Sequence, residues 1–130
     1  MTTQRGQSLV EFALTIGLLM LLIVATAQVA MFLHYRDALQ LAVHEGAFDG
    51  SLVGHGPEDA ETTTRQLWSK LAPGGRPVRV RAITRDNLVV ISAEATVPAL
   101  LPLPVAPFSE LPVRARATHT VERFRPGSEP

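Results

Sequence analysis

The carboxylate of Glu11 stands at the beginning of a long apolar segment, five residues after Gly6. A charged side chain at the edge of a membrane helix is costly, and by default it indicates a function. A carboxylate packed away from water also needs a cationic partner, because an unpaired buried charge destabilises a protein by about 3–5 kcal/mol. Glu11 is therefore the first candidate functional residue, and the chemistry that it indicates is ion pairing.

The apolar segment covers residues 12–33, and only Thr15, Thr26 and Gln28 interrupt it with polar groups. A helix of about 20 apolar residues crosses the ~30 Å hydrocarbon core of a bilayer. We therefore predict a transmembrane helix over about 12–33.

Two short motifs frame this segment. The first consists of Gly6-Gln7 followed by Val10-Glu11-Phe12-Ala13-Leu14, and the second is AVHEGA at 42–47, which contains Glu45, Gly46 and Ala47. Together they resemble the TadE-like pseudopilins of tight-adherence (Tad) pilus systems. In that family a G-Q-x-x-V-E-F-A-L motif opens the hydrophobic helix and an A-x-x-E-G-A-like box closes it. The resemblance covers roughly residues 5–47.

The resemblance implies proteolytic processing followed by assembly. A prepilin peptidase would cut between Gly6 and Gln7, and Glu11 would lie one helical turn beyond the new α-amino group. A glycine at such a site leaves the backbone accessible and conformationally free. The new ammonium of Gln7, once packed away from water, needs a carboxylate. In a helical filament, Glu11 of a neighbouring subunit can supply it.

Two other interpretations of the N-terminal segment remain open. In an uncleaved signal anchor, Glu11 would lie at headgroup level, where the positive end of the helix dipole favours a carboxylate. In a secretory signal peptide, Arg5 would form a short basic region and Ala25-Thr26-Ala27 an A-x-A cleavage box. The position of Glu11 and the continuation of the apolar segment to Leu33 disfavour the secretory signal peptide.

Composition argues against several classes of function. The chain has 130 residues with 12 basic and 12 acidic side chains, so no excess of positive charge favours nucleic-acid binding. It has no cysteine for disulfides, and its four histidines lack the spacing of a metal site. No serine lies in a G-x-S-x-G motif. We therefore expect no catalytic residue, no cofactor and no metal.

The helix is predicted to continue past the membrane, because residues 34–48 contain no proline and keep a helical period. Their apolar members are Tyr35, Ala38, Leu39, Ala42, Val43, Ala47 and Phe48. We predict one helix from about Ser8 to Phe48, roughly 60 Å long at 1.5 Å per residue. Gly46 leaves room for another segment to cross it, and the expected segment is the sheet.

The remaining chain is predicted to form a small head. Pro57 and the carboxylates after it open a helix over about 57–71, on which Trp68 serves as a packing anchor. Alternation of apolar and polar residues predicts strands within 78–82, 89–97 and 113–122, with a turn at 85–87. The proline-rich segment 98–112 is predicted to be an extended loop without ladder pairing.

The strands also carry five arginines, at positions 79, 81, 85, 114 and 116, which could form a basic sheet face. Exposed arginines are ordinary on a half-buried sheet, so this pattern alone does not indicate a nucleic-acid partner.

The predicted fold is α+β and pilin-like. A long N-terminal helix, membrane-spanning in its first half, carries a short helix and a three-stranded antiparallel sheet on its C-terminal half. The predicted domains are a prepilin leader over 1–6, the long helix over 7–48, the head over 49–124 and a disordered tail over 125–130.

Two functions follow from this organisation. The resemblance favours a structural minor pilin or pseudopilin of a Tad-type pilus that supports pilus biogenesis and surface adherence. Its partners would be inner-membrane lipid, other pilins and prepilin peptidase, without nucleic acid or a small-molecule substrate. Its location would be the bacterial inner membrane, with the N-terminus cytoplasmic and the head outside, or the extracellular pilus. The alternative is an uncleaved, membrane-anchored exported protein that binds a partner through its head.

Overall fold

Two helices and three strands make up the computed structural model, which describes residues 2–100 and 110–121. The elements are α1 (Thr2–Ser51), α2 (Pro57–Leu71), β1 (Arg79–Arg85), β2 (Leu88–Pro98) and β3 (Glu110–Thr120). The helices form one layer, and the sheet forms a second layer in which β2 and β3 lie over α1 while β1 lies over α2. This arrangement confirms the predicted α+β, pilin-like fold. The predicted tail over 125–130 lies outside the described residues.

The first element, α1, is a single unbroken helix of 50 residues. It contains the predicted stretch from Ser8 to Phe48 and extends beyond both ends of it. No proline interrupts the helix. Beyond its last residue, Gly54 adopts a φ of +88°, a left-handed conformation that glycine reaches without strain and that turns the chain toward α2.

The second helix begins and ends at the predicted residues. Pro57 occupies the first turn, and the carboxylate of Asp59 accepts a hydrogen bond from the backbone N–H of Gly56 at 2.8 Å. This bond satisfies one of the amides that a helix N-terminus leaves unpaired. At the other end the N–H of Ala72 donates to the carbonyl of Trp68 at 2.9 Å, and Gly74 at φ +86° turns the chain toward the sheet.

The sheet is antiparallel in the order β1-β2-β3. The turn between β1 and β2 lies at the predicted position, where Asp86 and Asn87 take φ values of +49° and +70°. Left-handed conformations at both central residues suit a two-residue hairpin with the twist of its strands. The carbonyl of Asn87 also accepts the N–H of Val121 at 2.8 Å, which fixes the end of β3 beside this turn.

The predicted loop over 98–112 is wrong at both ends. β2 continues to Pro98, and β3 already begins at Glu110, so that Pro112 stands opposite Thr96 in the ladder. A proline is compatible with pairing here because β3 is an edge strand, and Pro98 is the last residue of β2. The middle of the predicted loop, 101–109, lies outside the described residues.

The core lies between the inner face of the sheet and the two helices. Its fully buried members include Leu39, Ala42, Val43, Ala47, Ala60, Val89, Ile91 and Val97. Trp68 is only 3% exposed, its Nε1 donates to the carbonyl of Arg76 at 3.0 Å, and its ring lies 5.9 Å from that of Tyr35. The prediction that Trp68 is a packing anchor is therefore confirmed.

The segment that crosses at Gly46 is α2 and not the sheet, so that part of the prediction is wrong. A Cβ atom at Gly46 would lie 2.7 Å from the carbonyl oxygen of Ala60 and would collide with the side chain of Thr64. One turn later, a Cβ atom at Gly50 would lie 2.6 Å from the Cβ of Ala60. Two glycines on α1 and a small residue on α2 thus allow the helix backbones to approach closely.

Phe48 also departs from the predicted apolar face, because its side chain is 47% exposed while Ala47 beside it is fully buried. The ring of Phe48 packs edge-on against that of His119 at 5.7 Å, outside the core. Near the end of α1, the buried residues Gly46 and Gly50 face α2. Phe48 therefore lies at the border of the sheet and outside the core.

We expect Gly46→Ala to destabilise the head by up to about 2 kcal/mol. The added methyl group overpacks the crossing with α2 at a cost of about 1–3 kcal/mol, from which the roughly 1 kcal/mol that alanine gains over glycine in a helix interior is subtracted. Thermal unfolding of the full chain in detergent, followed by the fluorescence of Trp68, measures the change. The matched control is Gly17→Ala, where nothing lies within 4 Å of the added Cβ. A higher melting temperature for Gly46→Ala than for the parent chain would contradict the close crossing.

Candidate functional site

The first motif forms one continuous surface at the lower end of α1. Gly6, Gln7, Val10, Glu11 and Leu14 line a single shallow groove along the helix, since residues three and four apart share a face. No heavy atom of another segment lies within 4 Å of a Cβ at Gly6. The remaining motif residues, Phe12 and Ala13, point to other sides of the helix and are also exposed.

The carboxylate of Glu11 lies on this groove and is exposed. Among the side chains that the structure describes, none donates a hydrogen bond to it or forms an ion pair with it. Where this carboxylate is packed away from water, its cation would come from outside the described side chains. Gln7 lies one turn earlier on the same face of the helix.

The lower half of α1 exposes an apolar surface that water does not favour. Every side chain from Gly6 to Ile23 is exposed, including Leu14 and Leu18, each at 70%. The most apolar stretch has a mean hydropathy of 2.4 and no buried residue. An unbroken apolar surface of this kind marks a contact with lipid or with other helices. The helix thus fits a single-pass membrane anchor.

The hydroxyl groups within this stretch are satisfied by their own helix. Thr15 Oγ1 donates to the carbonyl of Glu11, and Thr26 Oγ1 donates to the carbonyl of Leu22, both at 2.8 Å. Because a bilayer core offers no water for hydrogen bonding, internal partners of this kind make polar residues tolerable there. The two threonines therefore do not argue against a membrane environment.

Among the described residues, the lowest hydrogen bond between α1 and the head is at Gln28. The backbone N–H of Leu100, just after β2, donates to Gln28 Oε1 at 2.7 Å. Above this point Met31 and Phe32 pack against the head's core. The sequence reasoning did not identify Gln28 as a contact, although it is the only amide in the apolar segment and could have signalled one.

The second motif lies far from the first. Glu45 is separated from Glu11 by 34 residues, which is about 50 Å along a helix. Gly46 and Ala47 are buried at the crossing with α2, whereas Glu45 is exposed. In this chain the second motif is thus a packing element of the head, and the two motifs do not meet in one site.

Asp49 holds the end of α1 to the segments that follow it. Nδ1 of His55 lies 3.0 Å from Asp49 Oδ1, and Thr63 Oγ1 donates to Asp49 Oδ2 at 2.6 Å. These bonds tie the loop between the helices, and α2 itself, to the end of α1. Within 6–100 and 110–121 no three metal-binding side chains cluster. Nothing in this geometry shows a catalytic role.

A comparison with protein families decides the nature of the lower helix. Residues 6–47 match the model of the TadE-like protein family. This segment is similar to the TadE-like family over most of α1. The match confirms the predicted resemblance, and its limits coincide with the two motifs, since it begins at Gly6 and ends at Ala47. No curated protein and no solved structure matches the chain.

The TadE-like segment covers about a third of the chain, and it contains both the exposed apolar half of α1 and the helical half that carries the head. The match supports a pilin-like role associated with a Tad pilus. The second helix and the sheet lie outside the matched residues. Their contribution has to be argued from their own geometry.

Proposed function

We propose that the chain is a minor pilin or pseudopilin of a Tad-type pilus that supports pilus biogenesis and surface adherence. The observation that carries this proposal is the TadE-like match over residues 6–47, on a helix whose lower half is apolar and fully exposed. A structural subunit uses such a helix twice, first as a membrane anchor and later as the surface that packs against other pilins.

In this proposal the bilayer surrounds residues 6–27. That stretch precedes the hydrogen bond between Gln28 and Leu100, and its 22 residues span about 33 Å at 1.5 Å per residue. The length agrees with the ~30 Å hydrocarbon core of a bilayer. The span expected from hydropathy alone, 12–33, overlaps it but includes Met31 and Phe32, which pack against the head.

Processing and assembly use the lower groove. A prepilin peptidase cuts between Gly6 and Gln7, where the described residues place no other segment of the chain against the helix. The new ammonium of Gln7 then pairs with Glu11 of an adjacent pilin. The exposed position of this carboxylate supports pairing between subunits, because a partner helix can reach it directly.

Substitution of Gly6 should block processing without preventing membrane insertion, because the apolar stretch that drives insertion is unchanged. We expect the parent chain extracted from membranes to begin at Gln7, and Gly6→Val to retain the first six residues. Mass spectrometry of the intact proteins measures the difference. Gly17→Val is the matched control, since it places the same side chain in open space on the same helix. A parent chain that begins at Met1 or Thr2 would instead support the uncleaved anchored protein.

Removal of the charge at Glu11 should weaken assembly but not cleavage. In Glu11→Gln and Glu11→Val the ammonium of a neighbouring Gln7 is left unpaired, at a cost of about 3–5 kcal/mol where it is packed away from water. We expect both variants to be cut normally and to be recovered with other pilins at less than a tenth of the parent yield. Glu11→Asp keeps the charge and should retain most of the yield. Recovery of Glu11→Val at the parent level would exclude this ion pair.

The head should lie outside the cytoplasm. We expect protease added to spheroplasts to remove the head, and an alkaline phosphatase fused after Pro130 to be active, because that enzyme works only after export. The same protease should leave the head intact in unbroken cells if the protein remains in the inner membrane. An inactive phosphatase together with a fluorescent cytoplasmic fusion at the same position would reverse the proposed orientation.

A further inference from the structure

The outer face of the sheet carries a compact group of four arginines. The strand register places Arg79, Glu94 and Arg114 in one row across the sheet, and it places Arg81, Ser92 and Arg116 in the next. All four arginine side chains are exposed. We call Arg79, Arg81, Arg114 and Arg116 the arginine face.

The charges of this face are only partly balanced. Arg114 donates from Nε and from Nη2 to Glu94 Oε1, at 3.1 and 3.0 Å. Glu94 is the only carboxylate in the two rows, and Ser92 fills the corresponding position of the second row. Arginines on one strand two positions apart lie about 7 Å from each other, and those two strands apart lie about 10 Å from each other. These separations are close to the Debye length of about 8 Å at physiological salt, so the positive charges reinforce one another.

The opposite layer of the head carries the opposite charge. Residues 34–72, which contain the upper part of α1 and all of α2, include six acidic and three basic side chains, a net charge of −3. Residues 73–121, which contain the sheet, include six basic and three acidic side chains, a net charge of +3. A chain without overall charge is thus divided into an acidic helical layer and a basic sheet layer.

The acidic charge is concentrated where the two helices cross. The close contacts of Gly46 and Gly50 with α2 bring the last turns of α1 beside the first turn of α2. The carboxylates at this place are Glu45, Asp49, Glu58 and Asp59, which we call the acidic corner. Glu45, Glu58 and Asp59 are exposed, while Asp49 is paired with His55.

We propose that the arginine face binds the acidic corner of a second copy of this chain. The two surfaces have complementary charge and lie on opposite layers of the head. One copy can therefore bind a first neighbour through its arginine face and a second neighbour through its acidic corner. Such a contact joins two different surfaces, and it extends into a row of copies unless the rotation between neighbours closes it into a ring. This proposal concerns the heads and goes beyond the proposed function.

An anionic membrane surface is a weaker partner for the arginine face. Glu94, in the middle of that face, is six residues from Leu100, which lies beside Gln28 at the lower end of the head. The strand from Glu94 to Pro98 alone spans about 13 Å, more than one Debye length at physiological salt. Lipid headgroups at the level of Gln28, where the proposed function puts the membrane surface, are therefore largely screened from these arginines.

The contact has a defined offset along α1. The ring of Phe48 lies 5.7 Å from that of His119, and His119 stands opposite Val89, so the beginning of β2 is level with the end of α1. The arginine rows are three to five residues further along β2 and thus lie below the acidic corner. Two heads in contact are therefore displaced along the helix axis relative to each other.

Cross-linking between engineered cysteines can test this contact in the full chain, which contains no native cysteine. Ser92→Cys lies in the arginine face, and Thr62→Cys lies one turn after Glu58 on the exposed side of α2. The two variants carry different tags, are coexpressed and are extracted together into detergent, where two copies can shift along the helix axis relative to each other. We expect a bismaleimide to join them at least fivefold more efficiently than it joins two copies of either variant alone.

Charge reversal separates the proposal from its alternatives. Reversal of the arginine face (Arg81→Glu with Arg116→Glu) in the first variant should lower the yield at least fivefold, and so should reversal of the acidic corner (Glu45→Arg with Glu58→Arg) in the second. When both reversed variants are coexpressed, the charges are again complementary, and the yield should return to within twofold of its original value. This recovery also shows that the reversed chains fold. The control is Arg36→Glu with Lys70→Glu, which changes the same amount of charge outside both surfaces.

Two outcomes would overturn the proposal. A yield that neither reversal changes would show that charge does not hold the contact. A yield that falls with reversal of the arginine face, and does not recover in the doubly reversed pair, would show that this face binds an acidic molecule other than a second copy. The N-terminal mass of the same samples reports cleavage separately, so a failure of the head contact can be distinguished from a failure of the proposed pilin function.

Discussion

The close crossing of α2 over α1 at Gly46 and Gly50 is the contact on which the architecture of the head depends. Because both positions lack a side chain, Ala60 of α2 approaches the backbone of α1 directly. The crossing fixes Trp68 beside Tyr35, and it places Glu61 where its Oε1 accepts the N–H of Ala82 at 3.0 Å. That bond pairs an amide at the free edge of β1, so the helix also protects the edge of the sheet.

Much of this fold could be predicted because local signals and packing agree. Pro57 and Asp59 begin α2 for reasons within a single turn, and the alternation of Val89, Ile91 and Ala93 allows only one face of β2 to be buried. The errors occur where the outcome depends on a distant segment. Nothing near Gly46 in the sequence tells whether a helix or a strand will cross it. In the same way, a proline such as Pro112 is excluded from a central strand but tolerated in an edge strand. Only the strand order shows that β3 is an edge strand.

The candidate sites show the same difference between local signals and contacts with distant segments. The Gly6 to Leu14 motif could be identified from sequence because its chemistry is local, with one glycine and one carboxylate at a fixed spacing on one helix. The bond between Leu100 and Gln28 joins residues 72 positions apart. In the sequence, only the polar side chain of Gln28 within the apolar segment weakly indicated such a contact. The arginine rows were visible as alternating residues, but their alignment around a single carboxylate required the register of three strands.

The continuity of α1 links the orientation of its lower half to the position of the head. No break separates the exposed apolar half of the helix from the half that carries the head. In the proposed membrane orientation, the tilt of the lower half in the bilayer therefore moves the head. The upper end of α1 lies about 35 Å beyond Gln28 at 1.5 Å per residue, so a tilt of about 20° in the bilayer moves that end sideways by about 12 Å. Membrane thickness and neighbouring helices set the tilt. Membrane thickness and neighbouring helices would thereby determine which part of the head faces a neighbour, although neither of them contacts the head.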